Sequence, residues 1–218
     1  MAHWKTGGFQ KIFFKKKNTF RKIHQIVGSY TLIEHDFANA VINNKQPNSL
    51  PSHIPTRDST FDLALGYFDK GPIKIFQIGG IETFDLNWRV GSGWADMLFG
   101  NYIKEHGGEL TVVDISLNNL AHSFYAAKNL EYDLNAVYGD AIDHIGPGYD
   151  VYYLDGSNDP QETLDQYLKI ENESAVVLVD DFNIKGTLLK SYLLETETYY
   201  SHYNVANEVI VINNLERN

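Results

Sequence analysis

Carboxylates stand where the apolar runs of this chain end. Asp114 closes Leu110-Thr111-Val112-Val113, and Gly139-Asp140 follow the run 134–138. Asp155-Gly156 follow the run 150–154, and Asp180-Asp181 follow the run 175–179. An ionised carboxylate only accepts hydrogen bonds, through two oxygens, which suits ribose hydroxyls. A lone acid at such a place is often a loop starter or a helix cap. Several in the same relative position point to a shared ligand-binding edge. Glycines join them. Gly79-Gly80 end the first apolar run, Ile73 to Ile78, and the glycines resume as Gly91-Ser92-Gly93. Glycine lets backbone approach a ligand closely. A strand, a glycine loop, a helix and a strand ending in an acid form the first half of a nucleotide-binding α/β unit.

The elements that must position these residues alternate from Pro72 onward. Strands are expected at 73–78, 109–114, 134–138, 150–155 and 175–180, with helices between them. Trp94, Met97, Leu98 and Tyr102 share one helix face, and Leu117, Leu120, Ala121, Phe124 and Tyr125 share another. Leu188, Leu189, Tyr192 and Leu193 share a third. Repeated βα units of this length imply a parallel sheet covered on both faces. The end of the chain breaks the alternation. Thr198 to Tyr203 and Glu208 to Asn213 read as two strands joined by a turn, an antiparallel hairpin. Before the core, residues 9–27 carry an amphipathic pattern of one or two short helices. Residues 43–60 hold Pro47, Pro51 and Pro55, which argue against a helix or central strand, and 61–67 reads as a short helix. The chain thus divides into an N-terminal basic helical arm or lid with its proline-rich connector, 1–60, and a core, 61–218.

The composition bounds the function. A chain of 218 residues can bury a sizeable core. It has no cysteine, so no disulfide, thiolate metal site or cysteine nucleophile. No apolar run is long enough to span a membrane, no secretory leader pattern is seen, and a cytoplasmic location is expected. The net charge is −10, yet residues 1–33 carry +7, which leaves −17 for the rest. An acidic body argues against nucleic acid as the partner of the core. The basic arm reads as a solvated face or as packed on the acidic body, with phosphate, an anionic lipid or an acidic partner as the alternative contact.

The ordered set IFQIGG with GSGW, then VVDIS, YGDA, YDVYYLDGSNDP, VVLVDDFNIKG and the hairpin resembles the class I S-adenosylmethionine-dependent methyltransferases over 73–213. That resemblance implies a doubly wound, seven-stranded, mostly parallel sheet of order 3-2-1-4-5-7-6 with a C-terminal antiparallel hairpin. It also implies cofactor-binding roles for Gln77, Gly79, Gly91, Gly93, Asp114, Ile115, Asp140, Ala141 and Asp155. Asp114 would hold the ribose hydroxyls and Asp140 the adenine amino group. LDGSNDP and VDDFNIKG more narrowly resemble the metal-dependent O-methyltransferases, in which Asp155, Asp180 and Asp181 would bind Mg²⁺ as hard oxygen ligands. The implied activity is methyl transfer to an oxygen of a small polar acceptor, such as a sugar or a catechol-like diol, with a homo-oligomer as an open assembly state.

Two departures mark this chain. Gln77 replaces the usual acid of the first motif, and an insertion, 81–90, splits the glycines and carries Glu82, Asp85, Asn87, Trp88 and Arg89. Asn158 stands where relatives carry a basic residue, and an amide cannot accept a proton at neutral pH. The base is then Asp155 or Asp159, a histidine such as His144 or His53, a metal-bound hydroxyl unaided, or absent. The same departures motivate an alternative, a methyltransferase-fold protein that binds cofactor or a partner without catalysis. A nicotinamide dehydrogenase is disfavoured by the missing uninterrupted G-x-G-x-x-G and by the hairpin.

Overall fold

The computed structural model describes residues 54–82, 94–198, 200–203 and 207–213. The N-terminal arm, His53, Gly91, Gly93 and positions 83–90 of the insertion lie outside the described residues.

The first helix, α1, is Ile54–Leu65. It starts inside the proline-rich segment, where no helix was expected, and it runs across the anticipated 60/61 boundary. Pro55 is its second residue, and the first turn has no intrahelical bond for a proline to remove. The helix is held by Phe61, Ala64 and Leu65, all buried at helical spacing. The Phe61 ring lies 4.7 Å from that of Phe99 and 5.3 Å from that of Tyr153, centroid to centroid.

The parallel strands are β1 (Ile73–Ile78), β2 (Gly108–Asp114), β3 (Leu134–Tyr138), β4 (Val151–Leu154) and β5 (Ala175–Val179). The hairpin strands are β6 (Tyr200–Tyr203) and β7 (Glu208–Asn213), and β7 runs antiparallel to both β5 and β6. The sheet order is β3-β2-β1-β4-β5-β7-β6. Register puts Ile78 opposite Val113, Asp114 opposite Tyr138, and Leu154 opposite Val179. The parallel strands therefore end almost level, and the acids that follow them share one edge.

Both sheet faces are buried, which is why the strands read as continuous apolar runs. On one face Ile75, Leu110, Val112, Tyr153, Val176 and Leu178 pack under α1, α2 (Trp94–His106) and α3 (Leu117–Leu130). On the other, Phe76, Val113, Tyr152, Leu154, Val177 and Val179 pack under α4 (Ala141–His144), α5 (Pro160–Leu168), α6 (Phe182–Lys185) and α7 (Thr187–Glu195). The helix faces differ from the expected ones. In α2 the fully buried stripe is Ala95, Phe99 and Ile103, with Met97, Leu98 and Tyr102 at its margin. In α3 it is Leu120, Ser123, Ala126, Ala127 and Leu130. In α7 Leu189 and Leu193 are buried while Leu188 is exposed. Small residues are part of these buried faces. A Cβ on Gly100 of α2 would lie 2.2 Å from the Tyr132 ring. No helix among the described residues is long and apolar enough to cross a membrane.

Candidate active site

A cavity of about 680 Å³ opens at the carboxyl edge, lined by the loops that follow β1 to β5. That volume suits a small ligand or cofactor. Its first wall is the turn after β1. Gly79 has φ of +87°, and a Cβ there would meet the Asp155 carbonyl oxygen at 2.7 Å. Only glycine satisfies both conditions. The Gly79 N–H donates to Val113 O at 2.9 Å. Beyond the turn, Ile81 N–H donates to Ser123 Oγ at 3.0 Å, and Ile81 O lies 3.0 Å from His122 Nδ1. The insertion thus begins pinned to α3, and Glu82 lines the cavity.

Asp114, buried at the end of β2, organises this wall. Its carboxylate accepts from Gly80 N–H at 2.7 Å, Ser116 N–H at 2.6 Å and Asn119 Nδ2 at 3.0 Å. Ser116 caps α3 through a bond from Asn119 N–H, which fixes Asn119 beside the acid. A carboxylate has about four acceptor sites, so three protein donors leave about one for a ligand hydroxyl. The positions of Ser116 and Asn119 were not foreseen, although a serine three residues before an asparagine at a helix start is a readable cap signal. Ile115 lines the cavity and is exposed.

Gln77 is explained by a neighbour. Its Nε2 donates to Gly79 O at 2.6 Å and to Asp96 Oδ1 of α2. Both residues are buried. An acid at 77 would set two buried carboxylates against each other, a strongly unfavourable pair. The amide instead donates to the one that is present. Asp96 also raises the neighbouring Tyr132 hydroxyl, which burial first pushes well above the ordinary tyrosine range.

At the β3 end, Asp140 caps α4, with Oδ1 accepting from Ile142 N–H at 3.1 Å. Asp140 and Ala141 both line the cavity. His144 does not line it. A Cβ on Gly139 would come within 2.3 Å of His144 Nε2, so that ring packs on the loop backbone.

The opposite end of the cavity is built from β4 and β5. Asp155, Gly156, Ser157, Asn158, Glu162, Asp181 and Lys185 line it. Lys185 Nζ donates to Asp155 Oδ1 at 2.6 Å and lies 3.9 Å from Asp181 Oδ2. The lysine side chain is only 3% exposed. Asp181 adopts a left-handed conformation, φ +46°, and its N–H donates to Asp180 Oδ1 at 2.9 Å. The hairpin turn braces this loop: Asn207 O accepts from Phe182 N–H at 2.8 Å and Asn207 Oδ1 from Asn183 N–H at 3.0 Å. Glu162 accepts from Ser157 Oγ and from Gln166 Nε2 at 2.8 Å. Asp159 is exposed, caps α5 by accepting from Gln161 N–H at 2.9 Å, and does not line the cavity.

The expected metal set is not assembled. Asp180 is buried beneath the loop and does not line the cavity, and the Asp155 and Asp181 carboxylates face an ammonium group. Among the described residues no group of three or more His, Cys, Asp or Glu side chains could hold a metal ion. Lys185 is a cavity residue that the strand-end pattern of acids does not pick out. Its spacing of four from Asp181 sets the two one helical turn apart, but its nearer partner, Asp155, follows another strand.

No family model and no curated protein matches the sequence. Solved structures do match. The O-methyltransferase from Bacillus cereus in complex with SAH is 14% identical, with a TM-score of 0.51, over 89% of this chain and 99% of that one. Cofactor-bound Rv0187 from MTB is 9% identical, with a TM-score of 0.54, over 93% and 100%. The SAH-bound Podospora anserina methyltransferase PaMTH1 is 15% identical, with a TM-score of 0.50, over 85% and 98%. At these identities the likeness is one of fold, and that fold is the Rossmann-like α/β architecture of S-adenosylmethionine-dependent methyltransferases.

Proposed function

We propose that the chain transfers a methyl group from S-adenosylmethionine to an oxygen of a small polar acceptor. The observation that carries this reading is the Asp114–Gly80 bond. It locks a glycine turn and a strand-end acid into one wall of a cavity whose far end holds a separate polar cluster. The cavity suits the cofactor on two further grounds. Its volume is adequate, and six carboxylates line it against a single basic side chain among the described lining residues. That balance favours a cationic ligand.

When bound, the cofactor supplies a methyl group on a sulfonium whose charge disappears as the acceptor oxygen forms its new bond. The chain's own work is positioning. Gly79 and Gly80 admit the ligand close to backbone, one remaining acceptor site of Asp114 takes a ribose hydroxyl, and Asp140 with Ala141 borders the adenine. Asp155 and its neighbours orient the acceptor, and its hydroxyl proton leaves to a carboxylate of that end. Incubation with the cofactor and a panel of hydroxylated small molecules tests the reading. A methylated product with stoichiometric demethylated cofactor is expected.

A second reading, cofactor or partner binding without turnover, is favoured by one observation. Asn158 cannot act as a base, and Asp159 is committed to capping a helix. Saturable cofactor binding with no product from any acceptor would select it.

A further inference from the structure

Lys185 is the most unusual group in the cavity. It is a lysine with a side chain only 3% exposed, on a short helix after β5, at the end away from Asp114. A buried ammonium is costly unless paired. Here Asp155 Oδ1 at 2.6 Å and Asp181 Oδ2 at 3.9 Å surround it. The two carboxylates come from the ends of different strands, which is the arrangement a divalent cation would bridge. The third acid, Asp180, is turned to its own backbone, accepting from Asp181 N–H. The loop is held there from outside by Asn207, so the arrangement does not depend on a ligand.

We infer that the Lys185 ammonium takes the place of a divalent cation at this end of the cavity. It bridges Asp155 and Asp181 and supplies the fixed positive charge that faces an acceptor oxygen. An ammonium has three donors. One is given to Asp155 Oδ1, Asp181 Oδ2 at 3.9 Å is an ion-pair contact without a hydrogen bond, and Lys185 lines the cavity. It is a compact point charge, whereas a metal ion with open positions would take two adjacent oxygens. The acceptor therefore presents a single hydroxyl or acidic oxygen and needs no vicinal diol to chelate. This acceptor class rests on the methyltransferase reading; the cation assignment does not.

The test is Mn²⁺ binding to the full-length protein, read by electron paramagnetic resonance, with the demethylated cofactor titrated into the same samples. The wild-type chain is expected to show no Asp155-dependent Mn²⁺ binding up to about 1 mM. Lys185→Gln uncovers the carboxylates and should bind Mn²⁺ at least about tenfold more tightly than wild type. Adding Asp155→Asn to that variant should abolish the gain. One Mn²⁺ per wild-type chain, lost in Asp155→Asn, overturns the inference, as does a folded Lys185→Gln variant with unchanged Mn²⁺ affinity. Should Lys185→Gln fail to fold, the wild type against Asp155→Asn decides alone. Failure of the demethylated cofactor to bind sinks the methyltransferase reading and leaves the cation assignment standing.

Discussion

On the proposed reading Asp114 does two things at once, and one substitution removes both. The carboxylate ties Gly80, Ser116 and Asn119 together, so Asp114→Ala loosens the glycine turn as well as removing a ligand contact. Hydrogen bonds to a charged group contribute about 1.5–3 kcal/mol each. Affinity for the demethylated cofactor should fall roughly ten- to a hundredfold, and calorimetric titration measures it. Asp140 has a lighter duty. Asp140→Ala removes a helix cap worth about 1 kcal/mol and, on the proposed reading, a contact at the adenine side. A lowered melting temperature together with weaker binding is the expected pair of results. The strand-end acids were legible because apolar runs and their terminal residues are local patterns. The Gln77–Asp96 and Lys185–Asp155 pairs were not, because each joins residues from elements that meet only after the sheet forms.

At the scale of elements, the buried helix faces include small residues that hydrophobic spacing overlooks. The expected faces of α2 and α3 followed the large apolar side chains, whereas Ala95, Ser123, Ala126 and Ala127 are among the buried residues and Gly100 lies against the Tyr132 ring. Gly100 gives a direct test. A methyl group there would sit 2.2 Å from the Tyr132 ring, too near for either to stay in place. Gly100→Ala should cost about 1–3 kcal/mol by overpacking, although alanine ordinarily favours a helix over glycine. Thermal unfolding checks the sign: a rise in melting temperature would show that α2 does not pack as described. The strands were read almost to their ends because both faces of the sheet are buried, leaving continuous apolar runs. The start of α1 was missed because proline was weighed as a breaker rather than as a first-turn residue.

The whole molecule carries an alkaline weak point. Burial pushes the Tyr152 and Tyr167 hydroxyls from 10.0 up to about 12 in the folded chain. Glu173 raises Tyr152 further, and Glu171 with Tyr192 raises Tyr167, while a bond to Asn213 opposes the shift at Tyr167. Below pH 10 both phenols keep their protons whether the chain is folded or not, and their contribution is fully present. Between pH 10 and about 12 the unfolded chain releases these protons first, so stability falls across that window. Denaturant unfolding at successive pH values should show the decline, and Tyr167→Phe should make it shallower. An unchanged slope in that variant would assign the alkaline loss to other groups.

The central claim is that the cavity at the carboxyl edge holds S-adenosylmethionine through the wall that Asp114 organises. Calorimetric titration of the full-length chain with the demethylated cofactor, beside Asp114→Ala, tests it most directly. The expected result is saturable binding of one molecule per chain, weakened at least about tenfold by the substitution. No binding at millimolar concentration, or equal affinity in the two proteins, would contradict it.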